Sequence, residues 1–245
     1  QGSGKSVVFD ALPYFLREPS SDILQLHEAY FSRTFNWRPV ARPHHTITPQ
    51  SMVGGGVPPK PGEITRAHGG ALLLDEMMEF KPQTLEVLRE ALSNHEVTVS
   101  RGLQSVVFPA NFQLVGTTNL CPCGNWVPGK NKNCGYSNQR CLSTLQKLSG
   151  PMLDRLQGFF FFQDQMQKWE VSSENLKQKI EKAPKLQEAQ GRVHTRPFLE
   201  SNLDPLEAQI WKEYLVALPI SSARRRQSCV AWARTLADLE LSERI

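Results

Sequence analysis

Long hydrophobic runs are absent from this sequence of 245 residues. A membrane-spanning helix needs about 18 consecutive apolar residues, and runs such as residues 159–162, FFFF, are far too short. A strong charge of either sign is also lacking, since 28 basic and 24 acidic side chains leave a formal net charge of +4. We therefore expect no membrane partner, and the charge permits contact with nucleic acid without arguing for it.

Cysteine is scarce as well. Only five are present, an odd number, and four of them lie within residues 121–141. This distribution suits a reducing compartment, and hence a cytoplasmic protein, better than a disulfide scaffold. The four thiolates could hold a structural Zn²⁺, although their spacing is irregular and reduced thiols without metal are the alternative. The candidate ligands are Cys121, Cys123, Cys134 and Cys141.

The pattern of elements changes near residue 165. Before it, apolar runs at 71–75 and 112–117 predict buried parallel strands, and 97–108 predicts a β-hairpin that turns at Gly102. A third strand-like run follows at 159–162, whereas the Pro- and Gly-rich residues 36–62 are interpreted as long ordered loops or an insertion. Helical periodicity is found at residues 7–16, 82–93, 142–148, 168–190, 205–218 and 221–241. The sequence thus predicts an α/β domain at 1–165 and an all-helical domain at 166–245.

The chain opens on QGSGKS, which fits the end of the phosphate-binding loop G-x-x-x-x-G-K-S/T. In that loop backbone N–H groups cradle phosphates, the lysine reaches the β- and γ-phosphates, and the hydroxyl binds Mg²⁺. The leading glycine would lie two residues before Gln1, so we expect the chain to begin inside the motif. The predicted ATP-binding residues are Gly2, Ser3, Gly4, Lys5 and Ser6, with Ser6 also a ligand of Mg²⁺.

The stretch ALLLDE supplies the acidic partner of such a loop. A hydrophobic strand delivers Asp75 at its carboxyl end, where open α/β sheets bind ligands. Asp75 would hold Mg²⁺ and Glu76 would polarise the attacking water. LVGTTN ends the next buried strand on Asn119, which could position the same water. By itself, Asp75-Glu76 could equally be a charged pair that merely ends a strand.

These motifs resemble those of the AAA+ ATPases. Several longer stretches of the sequence are similar to the magnesium-chelatase-like ComM/YifB group. The matching stretches include RPVARPHHT (38–46), VGGG (53–56), LLLDE (72–76), FPANFQLVGTTN (108–119), CPCG (121–124), LSGPMLDRL (148–156), SSAR (221–224) and WARTLADLELSERI (232–245). The resemblance implies an α/β fold, with an AAA+ P-loop parallel sheet flanked by helices and a C-terminal helical lid. It also implies ATP and Mg²⁺ as cofactors and a hexameric ring that remodels DNA during recombination.

The resemblance carries further roles to individual residues. Arg155 falls where ring ATPases place the arginine finger that reaches a neighbouring subunit's nucleotide. Arg224 matches the lid arginine that senses the γ-phosphate, while Arg234 is interpreted as structural. The hairpin occupies the position of one that points into the pore of related rings, so Arg101 near its tip could contact a DNA phosphate.

Two other functions stay open. A chelatase motor subunit would drive metal insertion into a tetrapyrrole, and a non-hydrolysing nucleotide-binding module would carry a broken P-loop. The first strand of an AAA+ sheet precedes the P-loop and is not in this sequence. We therefore expect the 245 residues to be a fragment that does not hydrolyse ATP by itself.

Overall fold

The computed structural model describes residues 5–16, 18–32, 38–102, 104–119, 121, 135–160, 172–189, 198–217 and 222–242. The chain divides into two compact units. The first comprises Gln1–Leu153 with Phe160–Asp164, and the second comprises Asp154–Phe159 with Gln165–Ile245.

The first unit contains both helices and strands. Its helices span Lys5–Ala11 (α1), Ser21–Phe31 (α2), Pro49–Val53 (α3), Glu63–Arg66 (α4), Pro82–Glu86 (α5), Leu88–Asn94 (α6), Asn138–Leu145 (α7) and Gly150–Leu153 (α8). Its strands span Val40–Ala41 (β1), Gly54–Gly55 (β2), Lys60–Pro61 (β3), Ala71–Leu74 (β4), Glu96–Arg101 (β5), Gln104–Pro109 (β6) and Gln113–Gly116 (β7). In the second unit, helices span Ser173–Ala189 (α9), Pro205–Ala217 (α10) and Ala223–Leu239 (α11).

A parallel sheet organises the first unit. In the described part of the chain its strands run in the order β1–β4–β7, with Val40 opposite Ala71 and Leu74 opposite Gly116. All four residues of β4 are buried, which explains why the strand reads as a continuous apolar run rather than an alternating one. Full burial stabilises each leucine side chain by roughly 1.5–3 kcal/mol relative to exposure. The middle strand β4 is therefore held firmly, and with it the residues that follow its carboxyl end.

Helix α1 packs on one face of this sheet. Phe9 is buried against Ala71 and Leu73, and the side chains of Val40 and Val115 lie against the same cluster. The helix continues as a 3-10 turn over Leu12–Phe15, because Pro13 lacks an N–H and its ring disfavours a further α-helical turn. The predicted helix at 7–16 is thus present, with its second half wound more tightly.

Strand β4 begins at an unusually close backbone approach. The amide of Ala71 donates to the carbonyl oxygen of Pro39 over 3.0 Å, and a Cβ added to Gly70 would lie 1.7 Å from that same oxygen. Only glycine fits there. The contact brings β1 alongside β4, although residues 36–62 read as loops from the sequence. That expectation was wrong for β1, which is two residues long and is defined by its partner. It was also wrong for α3 and for the short antiparallel pair of β2 and β3.

Two histidines, the buried His27 and the half-buried His68, tie the segment before β4 to its surroundings. The Nε2–H of His27 donates to the carbonyl oxygen of His68 over 2.9 Å, and Nδ1 of His68 accepts from the amide of Asn111 over 3.0 Å. Burial is the main cause that lowers the pKa of His27. The hydrogen bond to His68 raises this pKa, and the charge of Arg66 lowers it further. Burial and neighbouring His27 lower the pKa of His68. Both rings are therefore built into the fold in neutral form.

The predicted hairpin is formed by β5 and β6, which pair from Glu96 opposite Pro109 to Arg101 opposite Gln104. Gly102, in the turn, has a φ of +57°, a conformation that glycine adopts without strain. Val97, Val99 and Phe108 are buried on one face of the ribbon. The opposite face is exposed to solvent.

In the second unit, a buried ion pair within α11 also bonds to a side chain of α9. Arg234 donates from Nε to Oδ1 of Asp238 over 3.0 Å, and both side chains are buried. Gln187 on α9 donates to the other oxygen of Asp238 over 2.7 Å. Because a buried charge needs a partner, this arrangement fits the structural role expected for Arg234.

The strand predicted at 159–162 is not formed by the two residues that the structure describes. Phe159 and Phe160 are assigned to no strand and are exposed, while residues 161–162 lie outside the described residues. The predicted helix at 82–93 is interrupted at Val87. The φ of −66° and ψ of −20° of Val87 still lie in the right-handed helical region. Both differences have one source, since an apolar run or a periodic pattern does not specify its hydrogen-bond partners.

Candidate nucleotide-binding site

Two acidic residues follow the carboxyl end of β4. Asp75 comes directly after Leu74 and its side chain is 46% exposed, so its carboxylate is accessible from solvent. Glu76 is exposed and has a φ of +51° and a ψ of +51°, the left-handed region that few residues other than glycine adopt. Such conformations cost free energy and persist where the surroundings hold them. The predicted acidic pair therefore lies at the edge of the sheet that binds ligands in this class of fold.

Thr117, one residue beyond β7, contacts the acidic pair. Its hydroxyl donates to Oδ1 of Asp75 over 2.5 Å and accepts from the amide of Glu76 over 3.0 Å. Parallel pairing of β4 with β7, in register from Ala71 opposite Gln113, brings these ends together. The polar residues that follow two neighbouring strands thus form one cluster.

Arg42 lies between this cluster and helix α1. Its Nη1 donates to Oδ1 of Asp10 over 2.6 Å, while Nη2 lies 4.0 Å from Oδ2 of Asp75. The guanidinium also stacks over the ring of Phe9, 4.8 Å from its centroid. Arg42 therefore links Asp75 to helix α1, which begins at Lys5.

The predicted phosphate loop lies only partly within the described residues. Gly2, Ser3 and Gly4 lie outside them, as does the side chain of Lys5, whereas Ser6 is exposed in the first turn of α1. Asn119 is half-buried three residues beyond the end of β7, and its carbonyl accepts from the hydroxyl of Thr118 over 3.2 Å. These assignments remain predictions.

The two predicted arginines of the lid side belong to the second unit. Arg155 lies half-buried in the turn after α8, beside Asp154 in sequence. The carboxylate of Asp154 lies 3.7 Å from Nη1 of Arg224 and 3.5 Å from Nε of Arg225. The structure therefore brings the segment of Arg155 and the start of α11 together within this unit, and their roles toward ATP remain predictions.

Two of the four predicted zinc ligands meet. Sγ of Cys121 and Sγ of Cys141 are 3.1 Å apart and both side chains are buried. Cys123 and Cys134 lie outside the described residues. Within the residues described, no group of three or more histidine, cysteine, aspartate or glutamate side chains is arranged to hold a metal ion.

Arg101 ends strand β5 and is exposed near the tip of the hairpin. It pairs in register with Gln104, so its backbone is fixed by the ladder while the side chain remains accessible.

Sequence reasoning missed Thr117 and Arg42 at this site. Thr117 stands two residues before Asn119 in LVGTTN, and a hydroxyl directly after a buried strand was the available signal. Arg42 had none, since its position follows from the pairing of β1 with β4.

A family model described as magnesium chelatase, subunit ChlI, matches residues 1–169. The chain belongs to the magnesium chelatase ChlI family. The predicted resemblance and the predicted α/β class, a parallel sheet flanked by helices with further helices at the C-terminal end, are both confirmed for this ChlI-family chain.

Curated relatives are similar to the ChlI-family chain over different lengths. Competence protein ComM of Haemophilus influenzae is 43% identical over 122 residues, which cover 49% of this chain and 23% of the relative. The uncharacterized protein YifB of Salmonella typhimurium is 32% identical over 100% of this chain and 52% of its own length. YifB of Escherichia coli is 37% identical over 63% of this chain and 31% of its own length. The chain spans about half the length, or less, of these relatives.

No helix among the described residues is long and apolar enough to cross a membrane.

Proposed function

We propose that the chain is the ATP-binding and hydrolysing core of a cytoplasmic, ring-forming AAA+ motor. Residues 1–165 serve as its nucleotide-binding domain and residues 166–245 as its helical lid. The observation that carries the proposal is the acidic pair Asp75-Glu76 at the carboxyl end of β4, with helix α1 anchored beside it through Arg42. That edge of a parallel sheet is where α/β proteins bind nucleotides.

The residues present fit Mg²⁺. The carboxylate of Asp75 is half-exposed; its Oδ1 accepts from Thr117, and its Oδ2 has a cation, Arg42, as a neighbour at 4.0 Å. Carboxylate and hydroxyl oxygens are the ligands that this ion prefers, so Asp75 and Ser6 would hold it. When bound, Mg²⁺ neutralises charge on the β- and γ-phosphates of ATP.

The chain's own side chains divide the remaining work. Glu76 accepts a proton from the attacking water, and Asn119 orients that water toward the γ-phosphate. The loop Gly2–Ser6 binds the phosphates, and Arg224 contacts the γ-phosphate from the lid. Arg155 acts on the nucleotide of the next protomer in a hexamer, where its charge stabilises the transition state.

Substitution of the proposed base tests this function. In the full-length protein, Glu76→Gln is expected to lower the rate of ATP hydrolysis by about 10²–10⁴-fold, with binding of a fluorescent ATP analogue retained. Glu79→Gln is the matched control, since Glu79 is an exposed glutamate three residues away. Full hydrolysis by Glu76→Gln would disprove the role, and absence of ATP binding by the wild type would disprove the proposed function.

We propose DNA as the substrate on which the motor acts. Support comes from exposed Arg101 near the hairpin tip and from the name of one relative, competence protein ComM. Contacts of this kind bind the phosphate backbone without reading sequence. Arg101→Ala should weaken binding of unrelated DNA sequences to the same extent and reduce the salt dependence by about one counterion. Arg89→Ala, which removes an exposed arginine paired with Glu86, should leave binding unchanged.

The family description favours a second candidate, a chelatase motor subunit that drives metal insertion into a tetrapyrrole. The two functions differ in what stimulates ATP hydrolysis by the full-length protein. Stimulation by DNA supports the first, whereas a requirement for a porphyrin-binding partner protein supports the second.

Zinc binding is the last part of the proposal. The buried thiols of Cys121 and Cys141, 3.1 Å apart, would form half of a four-cysteine site with Cys123 and Cys134. Metal analysis of the purified protein should find one zinc per chain, and Cys141→Ser should abolish it. Absence of zinc from wild-type protein prepared without chelator would leave the cysteines as thiols.

A further inference from the structure

Thr117 bonds to each of four consecutive residues around the acidic pair. Its amide donates to the carbonyl oxygen of Leu74 over 3.0 Å, and its carbonyl accepts from the amide of Met77 over 2.7 Å. Its hydroxyl contacts the two residues between them, Asp75 and Glu76. Any residue other than proline could make the two backbone bonds, so only the hydroxyl bonds depend on the side chain of threonine.

The direction of both hydroxyl bonds is fixed by chemistry. An ionised carboxylate only accepts hydrogen bonds and a backbone amide only donates them. The single proton of the Thr117 hydroxyl therefore goes to Oδ1 of Asp75, and its lone pair receives the amide of Glu76. One side chain thus sets the orientation of the carboxylate and fixes the backbone of the next residue.

The two carboxylate oxygens of Asp75 have different neighbours. Oδ1 is engaged at 2.5 Å, whereas Oδ2 faces the guanidinium of Arg42 at 4.0 Å, beyond hydrogen-bond distance. A cation already attracts Oδ2 in this arrangement. Oδ2 is therefore the oxygen that can turn to a divalent cation without loss of a hydrogen bond.

Glu76 needs an external hold because its φ of +51° is unfavourable for a glutamate. Thr117 supplies that hold on both sides, through the amide of Glu76 and the amide of Met77. The strand end that carries Thr117 is held by pairing of Gly116 with Leu74, and the Met77 side chain packs closely on Gly116, where an added Cβ would lie 2.8 Å from Sδ. The direction in which the Glu76 side chain leaves the backbone is thus set by Thr117.

We infer that Thr117 is a positioning residue, whose hydroxyl presents Oδ2 of Asp75 to the divalent cation and holds Glu76 in its left-handed conformation. This inference rests on the proposed function. Residues that orient metal ligands in this way typically change metal affinity or activity by roughly 10–100-fold when they are replaced.

The test compares Thr117→Val, which keeps the shape and removes the hydroxyl, with Thr117→Ser, which keeps the hydroxyl. In the full-length protein we expect Thr117→Val to lower kcat for ATP and raise the Mg²⁺ concentration for half-maximal rate, each by roughly 10-fold or more. The affinity for ATP measured without divalent cation should not change. Thr117→Ser should stay within about threefold of wild type. Thr235→Val is the control, because it removes another threonine hydroxyl bond, the one to the carbonyl of Ala231.

A second readout separates this inference from the proposed function. Binding of Mn²⁺ together with a non-hydrolysable ATP analogue, followed by electron paramagnetic resonance, reports on Asp75 without any turnover. A wild type that binds Mn²⁺ and nucleotide without hydrolysing ATP would contradict the proposed hydrolysis, while a weaker affinity of Thr117→Val for Mn²⁺ would still support the inference. A wild type that binds neither would overturn both.

Three results would overturn the role of Thr117. The first is an equal kcat and Mn²⁺ affinity for Thr117→Val and wild type. The second is a Thr117→Ser variant as impaired as Thr117→Val, which would mean that shape rather than the hydroxyl matters. The third is loss of cooperative unfolding in both Thr117→Val and Thr117→Ala, which would assign the hydroxyl to the fold alone.

Discussion

The hydroxyl of Ser222 donates to Oδ1 of Asp154 over 2.6 Å. Ser222 is the N-cap of α11, where its oxygen also accepts from the amide of Arg225 over 3.3 Å. Asp154 directly precedes Arg155 in the turn after α8. One serine therefore caps the helix that carries Arg224 and anchors that helix to the segment of the predicted arginine finger.

Ser222→Ala should destabilise the second unit. The variant loses the cap bond and the charge-assisted bond to Asp154, for which we expect a cost of about 1–2 kcal/mol in the free energy of unfolding. Ser228→Ala is the matched control, since Ser228 is half-buried within α11 and its hydroxyl donates to the carbonyl of Arg224 in the same helix. Urea denaturation measures both, and equal stabilities for the two variants would contradict the anchoring role.

Gly70→Ala should damage the sheet at the strand that positions the site. The added methyl group would collide with the carbonyl oxygen of Pro39, which is part of a backbone and cannot rotate away. We expect a loss of about 3 kcal/mol in the free energy of unfolding, at the upper end for overpacking. At Gly150 an added Cβ would have no atom within 4 Å, so Gly150→Ala should change stability little. Thermal unfolding followed by circular dichroism compares the two.

Acidification should destabilise the first unit. His27 and His68 have a lowered pKa in the folded chain, so below about pH 6.5 the unfolded chain binds more protons than the folded one. Their contribution to stability is therefore present in full above that pH and is lost as the pH falls. The slope should reach at most about 1.4 kcal/mol per pH unit for each histidine.

Denaturation of wild type and His68→Gln between pH 7.5 and 5.5 tests the histidines. The variant should be less stable at pH 7.5 because it lacks the imidazole that accepts from the amide of Asn111. Its stability should also depend less on pH. An unchanged slope would assign the acid sensitivity to other groups.

Glu76→Asn should gain stability while it loses hydrolysis. Asparagine tolerates the left-handed conformation better than glutamate, so we expect a gain of up to about 1 kcal/mol. The shorter amide cannot accept a proton from water, and ATP turnover should fall with it. Glu79→Asn, at a position with an ordinary φ, should not gain stability. A destabilised Glu76→Asn protein would argue that the backbone conformation is not strained.

The elements that sequence reasoning identified were those whose signal is local. Strand β4 was predicted at 71–75 from its continuous apolar run, and the hairpin was predicted from alternation around Gly102. Strand β1 was missed because two residues in a proline-rich stretch carry no periodicity, and their strand character exists only through the partner β4. In the predicted strand at 159–162, the two described residues, Phe159 and Phe160, are exposed and belong to no strand, because apolar side chains alone do not specify a strand.

The same distinction holds at the candidate site. Asp75 and Glu76 were found because they follow a recognisable strand. The contacts that orient them come from Thr117, more than forty residues later, and from Arg42, more than thirty residues earlier. No spacing rule encodes those distances along the chain.

By itself, the sequence determined that a buried strand ends in an acidic pair and that a helix follows Ser6. It also determined the family, through motifs in a fixed order. Only the tertiary structure decided which oxygen of Asp75 is engaged, that Glu76 is left-handed, and that one threonine holds both. Hydrophobic patterning specifies which residues are buried, whereas hydrogen-bond geometry depends on strand register, which is set by packing between segments far apart in the chain.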